Sequence, residues 1–257
     1  SDGSGADSPV QEILKPYLKR DKRIHLQCNA MPLRIAENTN MAFSMATGDY
    51  LTFLDHDDLL SEDALYECVK AINEQNGIEL IYSDEDKVTM DGKEYFLPHF
   101  KPDFNMDLLR STNYFCHLVM VKRNLYERVG NLNPDFDGAQ DYDFVLRCVE
   151  NTRAEQIYHI PKVLYHWRAC EGSTSEDAKN KTYIIEAGAK AIQAHYTRLK
   201  IDAEVLPLAY GGMYRSKYHL HTHPKVSVII PNKDHIEDLQ NGILSLEEKN
   251  TYDNMEY

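Results

Sequence analysis

The chain has 257 residues, 42% of them hydrophobic, and a formal net charge of −13. That length holds one large domain or one domain and part of another, and the composition belongs to a folded globular chain, not a disordered one. The acidic balance argues against a nucleic-acid partner, whose phosphates are held by Lys and Arg, and no apolar run approaches the ~18–20 residues of a membrane span.

In chain order, Ser8-Pro9-Val10-Gln11 has the form of a helix start, with a helix to about Lys19 and a short strand from Arg23 to Cys28. Ile35 to Ala46 carries apolar residues at helical spacing and ends before Gly48. Tyr50 to Leu54 is a strand running into Asp55-His56-Asp57-Asp58, and Ser61 caps a helix to about Asn73. Ile78 to Ser83 is another strand running into acids, Asp84-Glu85-Asp86. Such alternation marks an α/β domain with a mixed, mainly parallel sheet flanked by helices. Further on come a strand from Tyr114 to Val121 and helices from Lys122 to Val129 and Gln140 to Glu150. Short strands over Ile157 to Ile160 and Lys162 to Trp167 are separated by Pro161, and a long amphipathic helix runs from Ala178 to Leu199. A connector with one candidate strand, Glu204 to Leu208, precedes the apolar strand Val226 to Ile230 and a helix from about Ile236 to Glu248. The five cysteines are scattered, with no CxxC pair, and the opening Ser1-Asp2-Gly3-Ser4 shows no basic or apolar leader region. Both features lead us to expect free thiols and a cytoplasmic location.

The strand that ends in Asp55-His56-Asp57-Asp58 carries the strongest chemical signal. In open α/β sheets ligands bind beyond the carboxyl ends of strands. Three carboxylates there suit a hard cation such as Mg²⁺ or Mn²⁺. A solvated acidic loop capping the next helix is the other reading.

The wider pattern resembles the core of the family-2 glycosyltransferases, inverting enzymes of the GT-A fold. The residues that carry the resemblance are Ala36, Asn38, Asn40 and Ala42, then Ala46-Thr47-Gly48-Asp49-Tyr50, then Phe53-Leu54-Asp55-His56-Asp57-Asp58. Asp2-Gly3-Ser4 precedes them, and Tyr82-Ser83-Asp84-Glu85-Asp86, Gly138-Ala139-Gln140-Asp141 and Leu164-Tyr165-His166-Trp167-Arg168 follow in the family's order. The match spans about residues 1 to 195. It implies that Asp2 meets the nucleobase and ribose of a nucleotide-sugar donor, and that Arg34 and Asn38 contact the donor as well. Asp55 and Asp57 resemble the family's Asp-x-Asp, with Asp57 on Mn²⁺ or Mg²⁺ and Asp55 at the ribose or the metal's water. Asp141 matches the catalytic base, and Gln140 stands where the family often has Glu. His166 could be a further metal ligand. Trp167, Arg168 and Ser173 look like a flap over the diphosphate. Asp84 and Asp86, with Gln140 and Trp167, could face the acceptor.

The reaction so implied moves a sugar to a glycan or lipid-linked acceptor, as in cell-surface polysaccharide or O-antigen synthesis. Lipid-linked acceptors are compatible with a peripheral association of the full protein at the inner face of a membrane. Lys225-Val226-Ser227-Val228-Ile229-Ile230-Pro231-Asn232 resembles the family's opening strand. The expected plan is therefore a tandem protein. Residues 1–199 form a GT-A domain without its first strand, helix and second strand, 200–224 a connector, and 225–257 the first strand and helix of a second domain. That last segment could fold back on the first sheet, since a connector of roughly 25 residues reaches far at up to ~3.3 Å per residue. Left unpaired, it would be an aggregation hazard. Two alternatives stand: a catalytically inactive sugar- or nucleotide-binding module, and a metal-dependent nucleotidyltransferase, although the glycine-rich basic loop favoured by the latter is not visible.

Overall fold

A computed structural model describes residues 1–169 and 178–257, with side chains from residue 182 in the second stretch. It divides into two units, Ser1–Lys217 and Tyr218–Tyr257.

In the first unit the Ser8 hydroxyl accepts the Val10 N–H and opens α1 (Val10–Arg20). Pro16 removes one backbone donor from this helix. The strand expected over Arg23 to Cys28 shrinks to one parallel bridge between Asp2 and Cys28. α2 (Ile35–Met45) starts where the Arg34 N–H donates to Glu37 and buries Ala36 and Phe43. β1 (Tyr50–Thr52), β2 (Leu59–Leu60), α3 (Ala64–Glu74), β3 (Leu80–Val88) and β4 (Tyr95–His99) follow. The short α4 (Met106–Leu109) is capped by Asn105, which accepts the Leu108 N–H. Then come β5 (Val119–Lys122), α5 (Arg123–Val129), α6 (Gln140–Glu150), β6 (Ile157–Arg168), α7 (Ala178–Leu199), and the paired strands β7 (Ala203–Pro207) and β8 (Tyr214–Tyr218).

The main sheet has the order β1-β5-β3-β6-β2, with β4 also on β3. It is mixed. Its longest pairing, β3 with β6, is parallel, and β1, β5, β4 and β2 join antiparallel. On one edge of β3, β5 covers Leu80 to Tyr82 and β4 takes over from Glu85 to Val88. Pro161 does not split β6. Ser83 faces Ile160 and Asp84 faces Val163, so the proline sits in a bulge where its missing donor costs no ladder bond.

Strand alternation explains the layers. Leu80 and Tyr82 join a core with Leu51, Val119 and Val121 that α2, α5, α6 and α7 complete, while Ile81 points the other way with Met120, Ile160 and Leu164, under Ala64, Cys68 and Ala71 of α3. This three-layer arrangement leaves the carboxyl ends of β1, β3 and β6 along one rim. Cys28, Cys68, Cys116 and Cys148 carry free thiols. Among the described residues no helix is long and apolar enough to cross a membrane.

The second unit is a βαβ element. β9 (Val226–Ser227) pairs in parallel with β10 (Met255–Glu256) across α8 (Ile236–Lys249). Parallel neighbours need such a crossover.

Candidate active site

β1 delivers the chain into a turn in which the Asp58 N–H donates to the Asp55 carbonyl. Asp58 is 7% exposed, and its carboxylate accepts the Tyr165 hydroxyl at 2.5 Å and the Arg168 N–H at 2.9 Å. The Arg168 guanidinium donates to the carbonyls of Asp57 and Met90, each at 2.6 Å. The end of β6 therefore clamps the acidic turn. Arg168, expected over the diphosphate, holds the loop through its guanidinium. Asp58 is the buried anchor, while the side chains of Asp55 and Asp57 stay 64% and 44% exposed. Burial pushes the Asp55 carboxyl above its ordinary value, and the charges of Asp58, Asp57 and Asp141 push the same way against His117, whose Nε2 is 3.9 Å off.

Asp141 stands in the first turn of α6. The Asn113 amide donates to its Oδ2 at 2.9 Å. A carboxylate only accepts, so the amide must turn its nitrogen there; the Asn113 oxygen is buried without a partner. The other polar residues of this turn differ in use. Asp143 is buried in ion pairs with Arg147 at 2.8 Å and Arg198 at 3.3 Å, and Gln140 accepts the Gly138 N–H at 2.8 Å, closing its own loop. Gly138 has φ +94°, and a Cβ there would lie 2.6 Å from the Tyr183 ring.

Between Asp55 and Asp141 lies the stretch from Asn113 to Leu118. The sequence predicts a strand from Tyr114 to Val121, but β5 begins only at Val119. Lys101, 5% exposed, props it by donating to the carbonyls of Phe115 and His117, and Glu85 accepts the His117 N–H. Burial alone would raise the Glu85 carboxyl, but His117, His99 and Lys101 bring it down to about 2. The His117 ring stacks on Tyr165 at 4.7 Å and meets the Trp167 edge at 5.8 Å. Burial pulls its pKa down, yet Glu85, whose Oε2 lies 3.8 Å from Nδ1, and the charges of Asp141 and Asp55 leave it raised. Sequence reasoning missed Asn113 and His117. Their signal was two polar residues interrupting an apolar run, Asn-Tyr-Phe-Cys-His-Leu-Val-Met-Val.

Near the start of the chain Asp2 is 7% exposed. Its Oδ1 accepts the Ser4 N–H at 3.0 Å, and hydrogen bonds from Ser8 and Ser4 hold its carboxyl below the usual range. Asn38 donates to the Ser1 carbonyl at 3.2 Å and packs so closely on Gly3 that a Cβ there would meet its Cγ at 2.9 Å. Asp137, another residue the sequence reading did not single out, accepts the Ala36 N–H, and its Oδ2 lies 3.9 Å from the exposed Arg34 guanidinium. One oxygen each of Asp2 and Asn38 is buried without a hydrogen-bond partner. Each such orphan costs about 1–3 kcal/mol, so the two call for an explanation.

Three expected positions lie elsewhere. His166 bonds Asp86 at 2.6 Å and contacts the Tyr95 ring. Its strand neighbours Tyr165 and Trp167 both touch His117, so alternation turns His166 to the opposite face, away from Asp55. Asp84 is 3% exposed and bonded to the Lys101 N–H and His159, which removes it from an acceptor's reach. Asp86 is held by His166. Trp167 is 42% exposed at the rim. Ser173 lies outside the described residues.

Among the described residues no three His, Cys, Asp or Glu side chains converge to hold an ion. Asp55 and Asp57 nevertheless fit one. Mg²⁺-type cations are commonly held by one or two carboxylates with substrate phosphates completing the shell, and the charges of Asp58, Asp57 and Asp141, which add to the effect of burial in raising the Asp55 carboxyl, are what a cation relieves.

The sequence profile of the family described as Glycosyl transferase family 2 matches residues 1–130. An uncharacterized protein of Sinorhizobium fredii is 37% identical over 100% of this chain and 28% of its own length. The O-antigen biosynthesis protein RfbC of Myxococcus xanthus is 35% identical over 96% of this chain and 19% of its own length. The chain thus spans less than a third of either relative. Among solved structures, S. aureus TarS with UDP-GlcNAc superposes with a TM-score of 0.53 at 14% identity, covering 76% of this chain and 62% of that one. The mannosyltransferase PcManGT of Pyrobaculum calidifontis, with GDP-Man and Mn²⁺, gives 0.53 at 18% identity, covering 76% and 56%. These two likenesses are of fold.

Proposed function

We propose, for a chain that belongs to glycosyl transferase family 2 and so is a glycosyltransferase of GT-A fold, an inverting transfer from a nucleoside-diphosphate sugar to a glycan or lipid-linked acceptor in polysaccharide synthesis. The observation that carries it is the meeting of two acidic elements, the Asp55–Asp58 turn after β1 and Asp141 at the start of α6, across the Asn113–Leu118 segment. The relatives' names support the product class, and the donors bound by the two structural neighbours support a nucleotide sugar.

In this reading Asp2 and Asn38 receive the nucleoside end of the donor, which would give partners to their orphaned oxygens. Asp55 and Asp57 would hold Mn²⁺ or Mg²⁺, which when bound neutralises the departing diphosphate. Asp141 accepts the proton of the acceptor hydroxyl as it attacks the anomeric carbon. Asn113, by donating to Oδ2, orients the Asp141 carboxylate for that role. Asp58, Tyr165 and Arg168 keep the acidic turn rigid, which turns much of the reaction's orientational cost into folding. Residues 225–257 are the opening βαβ of a second such domain, a reading supported by the parallel pairing of β9 and β10.

The test is calorimetric titration of UDP, GDP, CDP and dTDP with and without Mn²⁺, on this chain and Asp57→Ala. Metal-dependent binding of one nucleotide, lost in Asp57→Ala, is expected. Binding that ignores both metal and substitution would remove the acidic turn from the donor site. In a variant Asp141→Asn, transfer should disappear while nucleotide binding persists; full transfer would take Asp141 out of the role of base.

A further inference from the structure

Register across three strands sets Phe96 of β4 opposite Lys87 of β3, and Lys87 opposite Trp167 of β6. Residues directly opposite share a face of the sheet. The side chains confirm it, since the Lys87 ammonium lies 5.5 Å from the Trp167 ring centroid. Two residues up the same strand, Glu85 lies between His99 and Tyr165, and Tyr165 stacks on His117. The row Phe96–Lys87–Trp167 is therefore continuous with the face that carries His117. Phe96 is 37% exposed and Trp167 42% exposed. Trp167 meets the Lys87 ammonium and the His117 ring, yet both aromatic rings keep more than a third of their surface open to solvent.

We propose that Phe96, Lys87 and Trp167 form a platform on which pyranose rings of the acceptor glycan stack, one sugar on Trp167 beside the reaction centre and the next toward Phe96. The proposal rests on the transferase reading for its occupant. A sugar presents an apolar C–H face and a rim of hydroxyls; an aromatic face takes the first, and the Lys87 ammonium and the His117 ring edge offer polar partners to the second. A lipid surface fits less well, because a net charge of −13 opposes docking on anionic headgroups.

Trp167 is the only tryptophan of the chain, so its emission reports on this row alone. The full chain is titrated with methyl glycosides and short oligosaccharides of glucose, mannose, rhamnose and N-acetylglucosamine, and separately with phosphatidylcholine–phosphatidylglycerol vesicles. A saturable shift of Trp167 emission with at least one saccharide, longer oligomers binding more tightly, is expected. Phe96→Ala should weaken oligomer binding about three- to tenfold, the worth of one aromatic contact, and Phe96→Tyr should restore it with an unchanged melting curve. No shift with any saccharide overturns the platform. So does a shift equal in Phe96→Ala, or one seen only with vesicles. Nucleotide calorimetry on the same samples separates the two ideas: saccharide binding without nucleotide binding would sink the transferase reading and leave the platform, and the reverse would sink the platform alone.

Discussion

At the scale of single residues, the acids of the site have been sorted by burial and partners. Asp58 and Asp143 are consumed by hydrogen bonds and ion pairs, whereas Asp141 has one oxygen held by Asn113. The amide that holds it leaves its own oxygen buried and unpaired, a cost that a purely structural contact would not need to carry. Asn113→Ala should therefore lower kcat about tenfold or more with little change in donor KM. An unchanged kcat would reduce Asn113 to packing. Glu85 gives a second residue-scale expectation. Its carboxyl falls from the ordinary 4.5 to about 2 in the folded chain. A depressed acid stabilises fully above the unfolded value and loses that contribution as pH falls through 4.5 toward 2. The shift corresponds to a contribution on the order of 3 kcal/mol. Glu85→Gln should be less stable than the parent by about that amount at pH 7 in urea denaturation, and the gap should narrow below pH 4.5. A gap constant with pH would place the effect in lost packing.

At the scale of elements, what the helices contact decides how freely they tolerate change. Gly188 is buried in the middle of α7, where a Cβ would overlap the Tyr214 hydroxyl of β8. Alanine would gain about 1 kcal/mol of helix propensity, but overpacking costs about 1–3 kcal/mol. Gly188→Ala should therefore lower the melting temperature, and Tyr214→Phe in the same chain should recover part of the loss. An unchanged or raised melting temperature in the single variant would mean that β8 yields. The helices α6 and α7 were legible in full, because Gln140–Glu150 and Ala178–Leu199 carry long periodic patterns. β4, β8 and the short β2 were not. Their residues, such as Tyr-Phe-Leu-Pro-His, lack alternation, and only the neighbouring strand makes them strands. Pro161 misled in the opposite direction, since a bulge absorbs it.

At the scale of the molecule, the two units differ in kind. The first has a core on both faces of its sheet, whereas the second, Tyr218–Tyr257, contains no buried residue. A βαβ element of that size has too little apolar burial to hold itself firmly. Hydrogen exchange should show slow amides in β3, β5, β6 and α6 and fast exchange throughout residues 226–256. Strong protection there would show that the second unit has found a partner.

The sequence by itself determined the order of α/β elements, the family, the Asp55–Asp57 pair and the candidacy of Asp141, because these are read from local pattern and spacing along one stretch of chain. Only the tertiary structure decided which acids remain available, and it brought Asn113, His117 and Lys101 to the site and turned His166 away from it. It also aligned Phe96, Lys87 and Trp167 in one row. Those outcomes depend on strand register and burial between segments far apart in sequence. A one-residue change of register would reverse the face of each strand side chain without altering the local pattern that sequence reading uses.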